Sequence, residues 1–223
     1  MISVAIDGPA GAGKSSLARA AAKELGFIYV DTGALYRTLG LKLIRTNTSV
    51  EDILLVEQLL KTTKVEIRFV QDEQHVFLDG EDVTSLIRTP EVSMTASKVS
   101  AIPAVRAYLL EMQRSLAKSN NVLMDGRDIG TVVLPNATVK IFLTASVEER
   151  AKRRYKELVE KGSNVTFDEV YADIEKRDYA DSHREIAPLK PADDSKIVDT
   201  TGLSIEESLN LLLKTVNEGI EEK

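Results

Sequence analysis

The chain has 223 residues, no cysteine and a formal net charge of −6, from 29 Lys and Arg against 35 Asp and Glu. The length fits one large domain or a core with small insertions, and the lack of cysteine excludes disulfides, thiolate nucleophiles and Cys-ligated zinc. No apolar run approaches the roughly 20 residues that span a bilayer, and an acidic surface repels nucleic acid. We therefore expect a cytoplasmic protein with neither a membrane nor a nucleic-acid partner.

The first part of the chain predicts strands that alternate with helices. Ile2–Asp7 is a short β-branched and apolar run, and a helical pattern follows at Ser15–Leu25 with Gly26 as its C-cap. The next predicted elements are a strand at Phe27–Asp31 and helices at Ala34–Ile44 and Val50–Lys61. Such alternation is typical of a parallel sheet covered by helices.

A small antiparallel insertion interrupts this alternation. Lys64–Val70 and Gln74–Leu78 alternate like hairpin strands around the turn-prone Gln71-Asp72-Glu73. A helix from about Pro103 to Lys118 ends the interruption, since proline suits a first helical turn.

Strands of a parallel sheet are predicted again in the second half of the chain, at Val122–Asp125, Val139–Leu143 and Lys196–Asp199. Three helices between and after them start at capping boxes, which are Ser146/Glu149, Thr166/Glu169 and Ser204/Glu207. Pro188 and Pro191 predict a non-helical loop over Glu185–Asp194.

Residues 8–15 read Gly-Pro-Ala-Gly-Ala-Gly-Lys-Ser, which matches the phosphate-loop pattern G-x-x-x-x-G-K-[ST] between a strand and a helix. The glycines let backbone N–H groups converge on phosphate oxygens, Lys14 reaches the β- and γ-phosphates, and the Ser15 hydroxyl ligates Mg²⁺. The sequence therefore predicts binding of a nucleoside triphosphate. The predicted binding residues are Gly8, Pro9, Ala10, Gly11, Ala12, Gly13, Lys14, Ser15 and Ser16.

Either a kinase or a nucleotide-dependent switch could use this loop. A GTPase switch needs a guanine-reading N-K-x-D segment, which is absent, and the D-x-x-G match at Asp199–Gly202 follows the last strand. Several arginines are expected at strand ends and in loops, which indicates a second anion beside the γ-phosphate. They are Arg37, Arg106, Arg127, Arg177 and Arg184. His75 and His183 are interpreted as surface or packing residues.

Four further segments give a more specific indication: Asp31–Arg37, Asp125–Thr131, Arg150–Arg154 and Arg177–Pro188. Together with the phosphate loop they resemble the bacterial cytidylate kinase family, and the similarity runs essentially from end to end. The resemblance implies an α/β P-loop NTPase three-layer fold with a five-stranded parallel sheet, a small mixed α/β insertion and a helical lid. The core is then residues 1–58 and 99–223, with the lid at approximately 150–165, and the monophosphate-binding insertion is 59–98.

The resemblance also implies a reaction: transfer of the ATP γ-phosphoryl group to CMP or dCMP, with Mg²⁺, by a monomer. A kinase for UMP or AMP is the alternative within the same class. The CMP-binding residues implied are Thr32, Tyr36, Arg37, Ser97, Arg106, Arg127, Asp128, Arg177, Asp181 and Arg184. The catalytic residues implied are Lys14, Arg127, Arg150 and Arg153, with Ser15 as the metal ligand.

Some of these residues have a structural alternative on spacing alone. Arg177, Asp181 and Arg184 could form an exposed ion-pair ladder on one helical face, and Arg150–Arg154 a solvated basic helix. Asp31 and Asp125 end buried strands, where a carboxylate either organises Mg²⁺ or caps a neighbouring loop.

Overall fold

The computed structural model describes residues 1–71 and 73–222 and divides into two compact units. Unit 1 consists of residues 1–28 and 120–223, and unit 2 of residues 29–119. The predicted insertion at 59–98 is part of unit 2, and its boundaries stay a prediction. Within the described residues, no helix is both long and apolar enough to cross a bilayer.

The elements follow one another in this order along the chain. The first half contains β1 (Ser3–Asp7), α1 (Lys14–Leu25), β2 (Ile28–Asp31), α2 (Thr32–Arg45), α3 (Ile53–Thr62), β3 (Val65–Val70), β4 (Glu73–Leu78), β5 (Glu81–Asp82), α4 (Pro90–Val99) and α5 (Pro103–Ser119). The second half contains β6 (Val122–Gly126), β7 (Val139–Thr144), α6 (Val147–Glu160), α7 (Phe167–His183), β8 (Lys196–Asp199) and α8 (Ile205–Glu221).

A five-stranded parallel sheet in the order β2-β6-β1-β7-β8 confirms the predicted α/β fold. Its central strand is β1, which pairs with β6 on one side and β7 on the other. Val4, Ala5 and Ile6 are fully buried there, as a parallel strand covered on both faces requires. The carboxyl end of this strand leads directly into the phosphate loop.

Helix starts follow the local sequence. The predicted capping boxes at Thr166/Glu169 and Ser204/Glu207 are both complete. The reciprocal box predicted at Ser146/Glu149 is wrong, because the Ser146 N–H donates to Thr201 Oγ1 and the Glu149 carboxylate binds Arg153 instead. Ser146 Oγ still accepts from the Glu149 N–H, so α6 keeps one half of its cap.

Unit 2 contains the predicted hairpin, in which β3 and β4 are antiparallel and Val65 lies opposite Leu78. Asp72 of the predicted turn lies outside the described residues. Sequence patterns did not predict α4, which Thr89 caps and Pro90 begins. It packs closely on α2, since a Cβ added at Gly40 would lie 3.1 Å from Ala96 N.

Gly8 should tolerate no side chain, because its φ is +152° and an added Cβ would overlap the carbonyl oxygen of Leu143 in β7. The obstacle is backbone of the central sheet, which cannot move aside. We expect Gly8→Ala to lower the free energy of unfolding by about 3 kcal/mol or more, from backbone strain and overpacking together.

Gly26→Ala is the matched control, since φ there is +66° and an added Cβ meets nothing within 4 Å among the described residues. It should cost only about 1 kcal/mol. Urea unfolding of both variants measures the difference, and equal losses would show that the overlap at Gly8 is relieved cheaply.

Candidate functional site

The phosphate loop ends at a helix start without a side-chain cap. Gly13 is the N-cap of α1 with φ 82°, and α1, which the structure describes in full, has no side-chain cap hydrogen bond and no acid in its first turn. By contrast, Asp31 caps α2 through the Ala34 N–H. The first N–H groups of α1 and the positive end of its dipole are therefore suited to an anionic ligand.

Lys14 is buried at the start of α1, with only 5% of its surface exposed. Its Nζ donates to the Pro9 carbonyl oxygen at 2.6 Å. Burial lowers the pKa of Lys14 well below its usual value, and the nearby Arg127 charge acts in the same direction. Phosphate oxygens beside Nζ would oppose both effects, since an anion favours the charged ammonium.

Ser15 and Asp125 place a hydroxyl and a carboxylate next to the loop, two oxygen groups that could hold a metal ion. Ser15 Oγ donates to Asp125 Oδ2 at 2.9 Å, and Asp125 is buried at the end of β6. Across the described chain, no group of three or more His, Cys, Asp or Glu side chains could hold a metal ion by itself. A hydroxyl and a single carboxylate fit Mg²⁺, which keeps several waters and takes much of its coordination from phosphates.

Asp7 is a buried acid that sequence patterns did not assign to the site. Its carboxylate accepts the backbone N–H groups of Ile129 and Gly130, each at 2.7 Å, and so holds a π-helical turn over Ile129–Val133. Burial raises its pKa from 3.8 to about 6, against the effect of the two hydrogen bonds. A sequence signal for Asp7 was available, because this acid ends a buried strand immediately before the phosphate loop.

The predicted CMP residues of unit 1 form two ion pairs. Arg127 Nε binds Asp181 Oδ2 at 2.8 Å, and Arg184 Nη2 binds Asp128 Oδ1 at 3.3 Å. The pairs join the segment after β6 to Asp181 near the end of α7 and to Arg184 directly after that helix, and Arg177 lies earlier in α7. Asp181 is thus held by a residue 54 positions away in sequence, a contact that helical spacing could not indicate.

The predicted lid arginines contact protein acceptors. Arg150 is 4% exposed, and it donates to the Ala145 and Ala10 carbonyl oxygens and pairs with Asp178 at 2.6 Å. Arg153 pairs with Glu149 and donates to Thr200 O at 2.8 Å. A fully solvated basic helix is therefore the wrong interpretation for Arg150, which is tied to the phosphate loop through Ala10.

Unit 2 holds the other five predicted CMP residues, which are Thr32, Tyr36, Arg37, Ser97 and Arg106. Thr32 starts α2, and Arg37 in the same helix pairs with Asp31 at 2.6 Å. The Arg106 guanidinium lies 5.8 Å from the centre of the Tyr36 ring and donates to Ser100 O. Ser97 lies in α4, and its backbone carbonyl oxygen accepts a hydrogen bond from Ser100 Oγ.

Two expectations about individual residues need correction or refinement. Arg37, Arg106 and Arg177 lie within helices, not at strand ends or in loops, because α2, α5 and α7 extend over them. Asp31 was expected to organise Mg²⁺ or to cap a loop, and it caps the start of helix α2 by accepting the Ala34 N–H. The two histidines contact neighbours on the surface: His75 contacts Asp82, and His183 stacks on Tyr179.

Comparison with known proteins gives a consistent result. A family model described as cytidylate kinase matches residues 4–218. The chain is 54% identical over 213 residues to the cytidylate kinase of Caldicellulosiruptor bescii, covering 96% of this chain and 94% of that protein. For the cytidylate kinase of Carboxydothermus hydrogenoformans the identity is 53% over 213 residues, with 96% of each covered.

Among solved structures, a gluconokinase from Sinorhizobium meliloti is similar with a TM-score of 0.51 and 13% identity. The match covers 99% of this chain and 94% of that chain. At this identity the likeness shows the fold alone.

The buried Asp7 should leave a signature in the pH dependence of stability. Because its pKa is raised to about 6 in the folded protein, the folded state holds a proton more tightly than the unfolded state. The free energy of unfolding of the wild type, minus that of Asp7→Asn, should therefore fall as pH rises from about 4 to 6. At 1.36 kcal/mol per pKa unit, the total fall is roughly 3 kcal/mol.

Urea unfolding at several pH values measures this difference. Asp199→Asn is the control, because hydrogen bonds from Thr201 lower the pKa of Asp199 from 3.8. Its difference should rise with pH below about pH 4 and stay flat from about pH 4 to 6, since a lowered carboxyl pKa stabilises the folded state only where the unfolded acid is ionised. A flat or rising difference for Asp7→Asn would contradict the raised pKa.

Proposed function

The chain belongs to the cytidylate kinase family, and we propose how its residues transfer the ATP γ-phosphoryl group to CMP or dCMP. The observation that carries the function is identity near 54% over nearly the whole length of a cytidylate kinase. The phosphate loop described above supports it independently, because it provides the N–H groups, lysine and hydroxyl that a nucleoside triphosphate needs.

On the donor side, residues 8–16 bind the ATP phosphates. Lys14 contacts the β- and γ-phosphates, and Ser15 would hold Mg²⁺. Asp125 orients the Ser15 hydroxyl, whose Oγ lies 2.9 Å from Asp125 Oδ2. Bound there, Mg²⁺ would supply positive charge that offsets the negative charge developing on the phosphates during transfer. The family supports ATP as donor, and the oxygen donors at the loop support magnesium.

On the acceptor side, the ten residues assigned to CMP by resemblance keep that assignment as a proposal. Arg37, Arg106 and Arg127 contact the CMP phosphate, since a planar guanidinium can bind two phosphate oxygens at once. Asp181 and Arg184 contact the sugar, and Ser97 lies with Arg106 near the cytosine edge. Arg106 and Asp181 are only 8% and 7% exposed, which supports a role in binding and not merely one as charged surface residues that keep the protein soluble.

The chemistry needs little from a general base. An ionised oxygen of the CMP phosphate attacks the γ-phosphorus, the bond from that phosphorus to the β,γ-bridging oxygen breaks, and ADP leaves. The protein positions the two phosphates and offsets their repulsion. The small number of histidines, two in the whole chain, fits this requirement.

Arg150 and Arg153 stabilise the transferred group from α6. Arg150 now pairs with Asp178 at 2.6 Å, so a phosphate that recruits its guanidinium competes with that carboxylate. The helical lid over approximately 150–165, the monomeric state and the cytoplasmic location remain predictions from the family resemblance.

The first test is ADP release from Mg·ATP with CMP, dCMP, UMP, AMP, GMP or no acceptor. Turnover should be strong with CMP and dCMP and absent when EDTA removes the metal. If UMP or AMP were preferred, the acceptor assignment would be wrong. ADP release that no monophosphate accelerates would favour a nucleotide-dependent switch over a kinase.

Arg127→Ala should lower kcat/KM for CMP by about 10²- to 10³-fold, since removal of one donor to a reacting oxyanion has that effect in other enzymes. Arg127→Lys should recover little of this loss, because an ammonium cannot make the bidentate contact. Steady-state kinetics with CMP varied at saturating ATP measures both.

Arg45→Ala is the matched control, an exposed arginine that pairs with Glu81. It should keep wild-type kinetics, and thermal unfolding checks that the Arg127 variants are folded. Wild-type kcat/KM in Arg127→Ala would remove Arg127 from the acceptor site.

A further inference from the structure

The hairpin of unit 2 is joined to the end of β2 by one side chain. Gln74, the second residue of β4, accepts the Asp31 N–H through Oε1 at 2.8 Å. Its Nε2 donates to the Asp31 carbonyl oxygen at 3.2 Å. A single carboxamide therefore binds both polar groups of one backbone residue, 43 positions away in sequence.

This pairing suits the backbone at that point. Asp31 is extended, with φ −83° and ψ 98°, so its N–H and C=O point to the same side. A carboxamide carries a donor and an acceptor side by side and can replace the residue of a neighbouring strand. Asparagine is one methylene shorter, and a glutamate has no donor, so neither keeps both contacts.

The backbone that Gln74 holds carries a carboxylate with two contacts of its own. Asp31 Oδ1 accepts the Ala34 N–H at 2.9 Å and caps α2. Asp31 Oδ2 accepts from Arg37 Nη2 at 2.6 Å. Gly33 leaves room for this pair, because a Cβ there would lie 3.0 Å from Arg37 Nη1 and 3.1 Å from Asp31 Oδ1.

Arg37 is thereby held along one edge of its guanidinium group. Its side chain is 22% exposed, and its Nε is buried with no hydrogen-bond partner in residues 1–71 and 73–222. Because the guanidinium is rigid and planar, fixing Nη2 also fixes the direction of the remaining N–H groups. The position of Asp31 thus decides where Arg37 can bind an anion.

We propose that Gln74 is a positioning residue for the acceptor phosphate: it fixes the Asp31 backbone, and the Asp31 carboxylate in turn orients Arg37. The inference rests on the proposed function, since it takes Arg37 as a contact of the CMP phosphate. It gives the hairpin a specific part in phosphate recognition.

The test compares CMP with cytidine, which lacks the phosphate. Gln74→Ala should raise KM for CMP about threefold to tenfold, as expected for the loss of one or two hydrogen bonds. KM for ATP and the inhibition constant of cytidine should each stay within about twofold, because the change acts on the CMP phosphate alone. Gln74→Glu, similar in shape but without the donor, should also raise KM for CMP.

Glu73→Ala is the control, since Glu73 precedes Gln74 in β4 and is exposed. It should behave as wild type. A second comparison uses Arg37→Ala: if Gln74 acts through Arg37, adding Gln74→Ala to that variant should raise KM for CMP no further.

The outcomes distinguish the positioning role of Gln74 from the phosphate contact of Arg37. If Arg37→Ala weakens CMP but Gln74→Ala does not, or if the two effects multiply, the positioning role is overturned and the phosphate contact of Arg37 stands. Equal weakening of cytidine and CMP by Gln74→Ala would indicate general damage to the unit and also overturn it. If Arg37→Ala leaves CMP unaffected, the Arg37 assignment and the positioning role both fail, while the acceptor series still decides the reaction.

Discussion

The pairing of arginine with carboxylate is the constraint on which the candidate site depends. An enzyme that brings together two phosphate-bearing substrates needs several cations close to one another, and those cations repel each other in a poorly solvated place. Acids hold several of the predicted arginines: Arg127 pairs with Asp181 at 2.8 Å and Arg150 with Asp178 at 2.6 Å in unit 1. In unit 2, Arg37 is held by Asp31 at 2.6 Å.

This arrangement leaves donors for a ligand. A guanidinium has five N–H groups, and a carboxylate on one edge occupies one or two of them. The rest keep a fixed direction, so less conformational entropy is lost when a phosphate binds. The same pairing explains how a chain with net charge −6 can build cationic sites. The acids that hold the arginines are themselves counted in that negative net charge.

Much of the fold could be predicted from the sequence because its signals are local. The β-branched run before the phosphate loop, the glycine cap at Gly26, and two of three capping boxes each depend on neighbouring residues. The third box was wrong because Thr201, 55 positions later, takes the Ser146 N–H. α4 was missed although its start carries local signals, an N-cap at Thr89 and a proline in the first helical turn.

The site divides in the same way. The phosphate loop is a contiguous motif, so its residues could be named from sequence, and the arginines followed from the family resemblance. The side chains that hold the site residues in position could not be named, because their hydrogen-bond partners are distant in sequence. Gln74 reaches Asp31 across 43 positions, and Asp7 reaches Ile129 across 122. No periodicity within a helix or strand carries information about such contacts.

Asp7 shows that a side chain which holds the site in position can lower the stability of the folded protein. A carboxylate buried deeply enough for its pKa to rise to about 6 destabilises the folded protein at neutral pH. It nevertheless holds the N–H groups of Ile129 and Gly130, directly after Arg127 and Asp128. The Lys14 charge lowers the pKa of Asp7, and the Asp7 charge raises that of Lys14. The phosphate loop and the segment that carries Arg127 are therefore coupled electrostatically. A change of charge in one shifts the pKa values of ionisable groups in the other.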